Sequence, residues 1–133
     1  MSRTICIVDD DEAVLHSLQM LLGQRGVSAT CYPSANAFLK AAALDGCGCL
    51  LFDQQMPELR GVELLEILRA RKLNTPAIIM TGASDPQLEE RAQRAGALAV
   101  LHKPILIEEL TGTIQRAFDM AYQRGGTLAQ AVR

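Results

Sequence analysis

The chain is short of aromatic side chains and has no tryptophan; Phe and Tyr together make up only 4% of it. Its core must therefore be aliphatic, built from Leu, Ile, Val, Ala and Met. Long apolar runs are also missing. Nothing approaches the roughly 18 to 20 consecutive residues of a membrane-spanning helix, and the start, Met-Ser-Arg-Thr-Ile-Cys, lacks the layout of a secretory signal. A formal net charge of −2, with no block of like charge beyond Asp9-Asp10-Asp11-Glu12, gives no support to a nucleic-acid surface. There is no CxxC pair. Cys47 and Cys49 are one residue apart, which suits neither a redox pair nor a zinc knuckle. On a strand they would share a face at a spacing too wide for a disulfide. Cys6 and Cys31 sit in apolar, strand-like runs, so all four cysteines are expected to be buried and reduced. These absences point to a cytoplasmic protein. A length of 133 residues suits one domain with a real core.

What is present is a steady alternation. Thr4 to Val8, Val27 to Tyr32, Cys49 to Phe52, Pro76 to Met80 and Ala97 to Leu101 are short apolar runs that suit buried strands. Helical stripes lie between them. The first is Val14, Leu15, Leu18, Leu21 and Leu22, capped by Asp11 and stopped by Gly26. The second opens at Pro33-Ser34, turns Phe38, Leu39 and Ala42 inward and ends near Asp45-Gly46. Val62, Leu65, Ile67 and Leu68 mark the third, which trails off through Arg69, Arg71 and Lys72. Leu88, Ala92 and Ala95 mark the fourth, running to Gly96. Ile107, Leu110, Ile114, Ala117, Phe118 and Ala121 mark the last, which Gly125-Gly126 is expected to end. This rhythm predicts an α/β fold with a five-stranded parallel sheet, helices on both faces and right-handed crossovers. The common strand order is 2-1-3-4-5. The expected domain is residues 1–124, with 125–133 a tail or the start of a linker.

Four strand ends carry chemistry. The first delivers Asp9 and Asp10, the third Asp53, the fourth Thr81 and the fifth Lys103 followed by Pro104. Singly, the acids suit helix starts, Thr81 a turn and Lys103 a solvated loop. Together, in a 2-1-3-4-5 sheet, they gather at one rim, where open parallel sheets form their functional crevice. Clustered carboxylates repel unless a cation sits among them. Mg²⁺, which takes hard oxygen ligands, is the natural candidate. Lys103 could grip a phosphoryl oxygen as a point charge, Thr81 could donate to another, and Gly82 leaves a backbone N–H open to an anion. A carboxylate nucleophile, a metal and an ammonium are the parts of in-line phosphoryl transfer onto an aspartate.

The chain resembles the receiver domain of bacterial two-component response regulators from about Thr4 to Tyr122. The matching residues are Val8-Asp9-Asp10-Asp11-Glu12, Asp53…Met56-Pro57…Gly61, Thr81-Gly82, Gly96-Ala97 and Lys103-Pro104. Asp-Asp-Asp-Glu, Thr-Gly and Tyr32-Pro33-Ser34-Ala35…Phe38-Leu39 are most similar to receivers that precede a helix-turn-helix output domain. The resemblance implies a flavodoxin-like (βα)5 fold and a phosphorelay role, with Asp53 as phosphoacceptor. It implies that Asp10, Asp53 and the backbone carbonyl of Gln55 hold Mg²⁺ and that Asp9 acts mainly through water. Thr81 would be the switch hydroxyl, Lys103 the phosphate-binding lysine, and Lys103-Pro104 a cis peptide. The donor would be a phosphohistidine on a partner kinase or phosphotransfer protein, and the output an effector domain or downstream protein. A homodimer would use helix 4, strand 5 and helix 5. Direct nucleic-acid binding and membrane association are not expected, nor is catalysis beyond self-phosphorylation and slow autodephosphorylation. His16 and His102 match no donor position and are expected to be solvated.

Two departures from the family pattern stand out. Val100 occupies a position that receivers usually give to Tyr or Phe, so the usual route from phosphorylation to the surface of helix 4, strand 5 and helix 5 is in question; Ile105 also replaces a common aromatic. Gln55, with Ala83 two residues after Thr81, is expected to face incoming water and tune the lifetime of the aspartyl phosphate. A phosphatase resembling haloacid dehalogenases would need an acid where Gln55 stands. A phosphorylation-independent binding module remains the alternative reading.

Overall fold

The computed structural model describes residues 4–41 and 46–132, with side chains described through Met120. Five parallel strands lie in the order β2-β1-β3-β4-β5. They are β1 (Thr4–Val8), β2 (Ser28–Tyr32), β3 (Cys49–Asp53), β4 (Ala77–Thr81) and β5 (Ala99–His102). Alternating with them are α1 (Glu12–Gly23), α2 (Ala35–Lys40), α3 (Gly61–Ala70), α4 (Pro86–Arg94) and α5 (Ile107–Val132). This is the doubly wound, flavodoxin-like arrangement that the alternation predicts.

Because successive strand residues point to opposite faces, each central strand feeds two cores. Ile5, Ile7, Leu51, Ile78 and Met80 meet Leu15, Leu18 and Leu22 of α1 and Leu110, Ile114 and Phe118 of α5. Cys6, Val8, Leu50, Phe52 and Ile79 meet Phe38 of α2, Val62, Leu65 and Leu68 of α3, and Leu88 and Ala92 of α4. All five residues of β3 and of β4 are buried. Three of the aromatics gather on the second face, where Phe38 stands edge-on to both Tyr32 and Phe52 at centroid distances of 5.2 and 5.5 Å. Among the described residues no helix is long and apolar enough to cross a membrane.

Several expectations need correction. Helix α1 ends at Gly23, ahead of Gly26, whose φ of +79° serves the turn into β2. Leu21 is exposed rather than part of the inner stripe, because the stripe is satisfied by Leu15, Leu18 and Leu22 one turn apart. Leu64 is fully buried while Ile67 is only half-buried, which rotates the inner face of α3 slightly. Helix α5 passes through Gly125 and Gly126 to Val132; glycine weakens a helix by about 1 kcal/mol each without forbidding it. Helix α2 ends at Lys40 with Ala41 extended, and the predicted inward Ala42 and the end at Asp45 lie outside the described residues. The inward placement of Ala121 lies outside the described side chains.

The cysteines differ most from expectation. Cys6 and Cys47 form a disulfide with their Cα atoms 6.0 Å apart. The reason is strand order: β1 and β3 are neighbours, with Cys6 opposite Leu50, so the residue just ahead of β3 lands beside Cys6. Cys31 and Cys49 are free thiols, and burial pushes the Cys49 pKa up to about 12.

Candidate functional site

The backbone ladder runs past the strand ends and fixes the rim. Val8 lies opposite Phe52, Asp53 opposite Met80 and Thr81 opposite His102. Beyond the strands, the N–H of Asp9 donates to the Tyr32 carbonyl, that of Gln54 to Met80, and that of Lys103 to Thr81. Asp9, Asp53, Thr81 and Lys103 are thereby carried to one rim by consecutive neighbours in the sheet. The acids Asp9, Asp10 and Asp53 place one carboxylate oxygen each within 4.8 Å of one another. Asp9 and Asp53 are buried, at 1% and 2% exposure, while Asp10 is open to solvent.

One cation balances them. Lys103 Nζ lies 2.9 Å from Asp53 Oδ1 and 3.9 Å from Asp9 Oδ2. Partial burial disfavours its charge, but the contact with Asp53 and the charges of Asp53, Asp9 and Asp10 outweigh that and hold its pKa above the ordinary lysine value. Asp9 answers mainly to burial, which lifts its pKa to about 6 against the hydrogen bond that it accepts from Asp11 N–H; the Asp53 and Asp10 charges add to the rise and Lys103 opposes it. Asp9 Oδ2 is buried without a hydrogen bond, and the buried Asp53 Oδ1 is paired with the Lys103 ammonium. These two oxygens, converging with an exposed third carboxylate, suit a hard divalent cation with water in its remaining positions. The residues fit Mg²⁺. The Lys103–Pro104 peptide is cis.

Around the acids the local sequence builds supports. Asp11 caps α1 by accepting from the N–H groups of Ala13 and Val14, so Asp9-Asp10-Asp11 divides its acids between the pocket and the helix. Gln54 is buried, and its Oε1 accepts from Val62 N–H at 2.9 Å, tying the start of α3 to the residue after Asp53. Gly61 is required by closeness: a Cβ there would lie 2.6 Å from the Asp53 carbonyl oxygen. Thr81 is fully buried and Gly82 exposed. The Gln55 Nε2 donates to Thr81 Oγ1 at 2.9 Å, and Gly82 N–H donates to Gln55 Oε1 at 3.1 Å. The Gln55 side chain is exposed to solvent while it spans Thr81 and Gly82. Val100 is half-buried against the Phe52 and Ile79 side of the core. His16 and His102 are exposed.

Sequence reasoning misses two polar devices, the Gln54 link to Val62 and the Gln55 bridge. The only signal for them is their position directly after Asp53. It also misses Arg69, read as a helix-end cation. Arg69 Nη1 donates to the carbonyls of Leu73 and Thr75 at 2.8 Å, Nε to Ala95 at 2.9 Å and Nη2 to Gly96 at 3.3 Å.

Comparison with known proteins agrees with this geometry. The response regulator receiver domain family matches residues 5–115. The response regulator protein TodT of Pseudomonas putida is 38% identical over 123 residues, covering 92% of this chain and 54% of TodT. The transcriptional regulatory protein FixJ of Bradyrhizobium diazoefficiens is 38% identical over 117 residues, covering 88% of this chain and 57% of FixJ. The chain thus spans about half the length of these curated relatives. Among solved structures, FixJ-N is 37% identical with a TM-score of 0.80, covering 90% of this chain and 95% of that one. The response regulator StyR is 30% identical with a TM-score of 0.89, covering 96% of this chain and 65% of that one. With strand order, acid cluster and matching sequence in agreement, the chain belongs to the response regulator receiver domain family.

Proposed function

We propose that this domain is a phosphoacceptor switch that receives a phosphoryl group on Asp53 from a phosphohistidine of a partner histidine kinase or phosphotransfer protein. The observation that carries the reading is the 2.9 Å contact between Lys103 Nζ and Asp53 Oδ1 inside a cluster of three converging carboxylates. Asp53 attacks phosphorus through a carboxylate oxygen, an O–P bond forms, the P–N bond to the donor imidazole breaks, and its electron pair stays on the ring nitrogen. Lys103 turns from Asp53 to a phosphoryl oxygen and holds it as a point charge. The Thr81 hydroxyl and the Gly82 N–H donate to the others, which makes Thr81 the switch residue. Mg²⁺, held by Asp10, Asp53 and the Gln55 carbonyl with Asp9 acting through water, would neutralise charge on the transferred group.

The receiver unit in this reading is residues 1–124, with 125–133 leading towards a linker, in a protein of the cytoplasm. The transcriptional-regulator names of relatives such as FixJ support an output that controls transcription through a helix-turn-helix domain. A homodimer through α4, β5 and α5 suits the same role. Val100, lacking an aromatic ring, leaves a phosphorylation-independent binding module as the second reading. Acetyl phosphate with Mg²⁺, followed by intact mass, separates the two. One added phosphoryl group, lost in Asp53→Asn, is the expected result, whereas no addition to the unaltered protein rejects the switch.

A further inference from the structure

The Gln55 bridge occupies the Gly82 N–H, a donor that an aspartyl phosphate would need, and one acceptor site of the Thr81 hydroxyl, whose proton points to the Ala83 carbonyl. Gly82 N–H can only donate, so the group facing it is the Gln55 carbonyl oxygen, and the amide nitrogen falls against Thr81 Oγ1. The Thr81 hydroxyl also accepts from Ala83 N–H at 3.1 Å and lies 3.3 Å from the Ala83 carbonyl, its acceptor. A hydroxyl has one donor and two acceptor sites. All three are taken, none by Asp53 or Lys103. The side chain that holds this arrangement is exposed, so it can leave without opening the core. Val100, where a ring would follow Thr81, has only a short branched side chain.

From these contacts we infer that Gln55 is an inhibitory latch: its carboxamide oxygen stands in for the phosphoryl group on Gly82 N–H, its amide NH₂ holds the Thr81 hydroxyl turned to Ala83, and phosphorylation must expel it. This rests on the phosphoacceptor reading of Asp53. In the resting state the latch satisfies Gly82 N–H and keeps the Thr81 hydroxyl turned towards Ala83. Once a phosphoryl group forms on Asp53, it takes Gly82 N–H from Gln55 and draws the Thr81 hydroxyl away from Ala83, which frees Gln55 at the surface. The released carboxamide, rather than residue 100, then marks the phosphorylated state for a partner. Three polar contacts are lost, two of Gln55 and that of the Thr81 hydroxyl to the Ala83 carbonyl, and two stronger charge-assisted ones are gained, so the latch reduces the apparent affinity for the phosphoryl group.

Beryllium fluoride, a non-transferable phosphoryl mimic, tests this at saturating Mg²⁺. Gln55→Ala should bind it roughly tenfold more tightly than the unaltered protein, because no latch has to be broken. In the unaltered protein the Gln55 side-chain NH₂ resonances and the Gly82 amide should shift together as the mimic saturates. Equal or weaker binding by Gln55→Ala, or Gln55 NH₂ resonances that stay in place, overturns the latch. If neither protein binds the mimic, the phosphoacceptor reading itself falls. Asp53→Asn, which should not bind it, supplies the reference for that outcome.

Discussion

The two rims of the sheet each hold one partly buried cation among oxygen atoms, yet they are built to opposite ends. At the amino-terminal rim, Arg69 donates to four backbone carbonyls, from Leu73, Thr75, Ala95 and Gly96. These belong to the turns leading into β4 and β5, and every donor has an acceptor in place. At the carboxyl-terminal rim, Lys103 pairs with Asp53 Oδ1 at 2.9 Å and leaves the buried Asp9 Oδ2, 3.9 Å away, without a hydrogen bond. A planar guanidinium with fixed donors suits a finished scaffold, whereas a compact ammonium on a flexible stem suits a group that must change partner. The first rim spends its polar groups on stability. The second keeps one of its acids unmet until something arrives.

Substitutions can break that contrast. Arg69→Met should cost the most, about 3–4 kcal/mol, since four carbonyls lose a charged donor together. The acceptors are half-buried, with Gly96 exposed, so the cost comes from losing four charge-assisted bonds at once; urea unfolding should show it, while the folded fraction should still take a phosphoryl group from acetyl phosphate. If phosphorylation falls in parallel with stability, the two rims are not separable. Lys103→Met should cost less in stability, about 2–3 kcal/mol at neutral pH, because the exposed edge of the pocket lets water reach the acids. In exchange it should remove stable phosphorylation.

Asp9→Asn should act in the opposite direction and sharpen the comparison. Folding lifts the Asp9 pKa from 3.8 to about 6, so between those values the folded state binds more protons than the unfolded state. This carboxyl therefore lowers stability as pH rises through that window, and the cost is complete above about 6. Asparagine cannot ionise and escapes it. The variant should be more stable by about 1–2 kcal/mol at pH 7 in the presence of a chelator, with the gain vanishing near pH 4. A gain independent of pH would show that charge at this position is not its source.

How much of this could be read beforehand follows from the range over which each interaction acts. The strands and their chemical ends were legible because a short apolar run closed by Asp53, Thr81 or Lys103 is a local pattern. Strand order then sets the rest of the rim. The Cys6–Cys47 link was hidden because it depends on β1 and β3 being neighbours, not on spacing between cysteines. Gln55 is legible as an exposed side chain beside Asp53, but its bridge is not, since its partners Thr81 and Gly82 lie 26 and 27 residues away. Arg69 has the spelling of any helix-end cation, and only the packing of α3 against the turn after α4 gives it four acceptors. Gly125-Gly126 misled for another reason: a pair of weak helix formers lowers a propensity without dictating an end.

Gly61 sets a boundary for anyone redesigning this domain. Its missing methyl would sit 2.6 Å from the Asp53 carbonyl oxygen, so even alanine would force α3 to retreat, taking with it the Val62 amide that secures Gln54. Substitution in this bend is therefore open only to outward-facing side chains, such as Glu58 and Arg60, laid over a path whose own dimensions leave no slack.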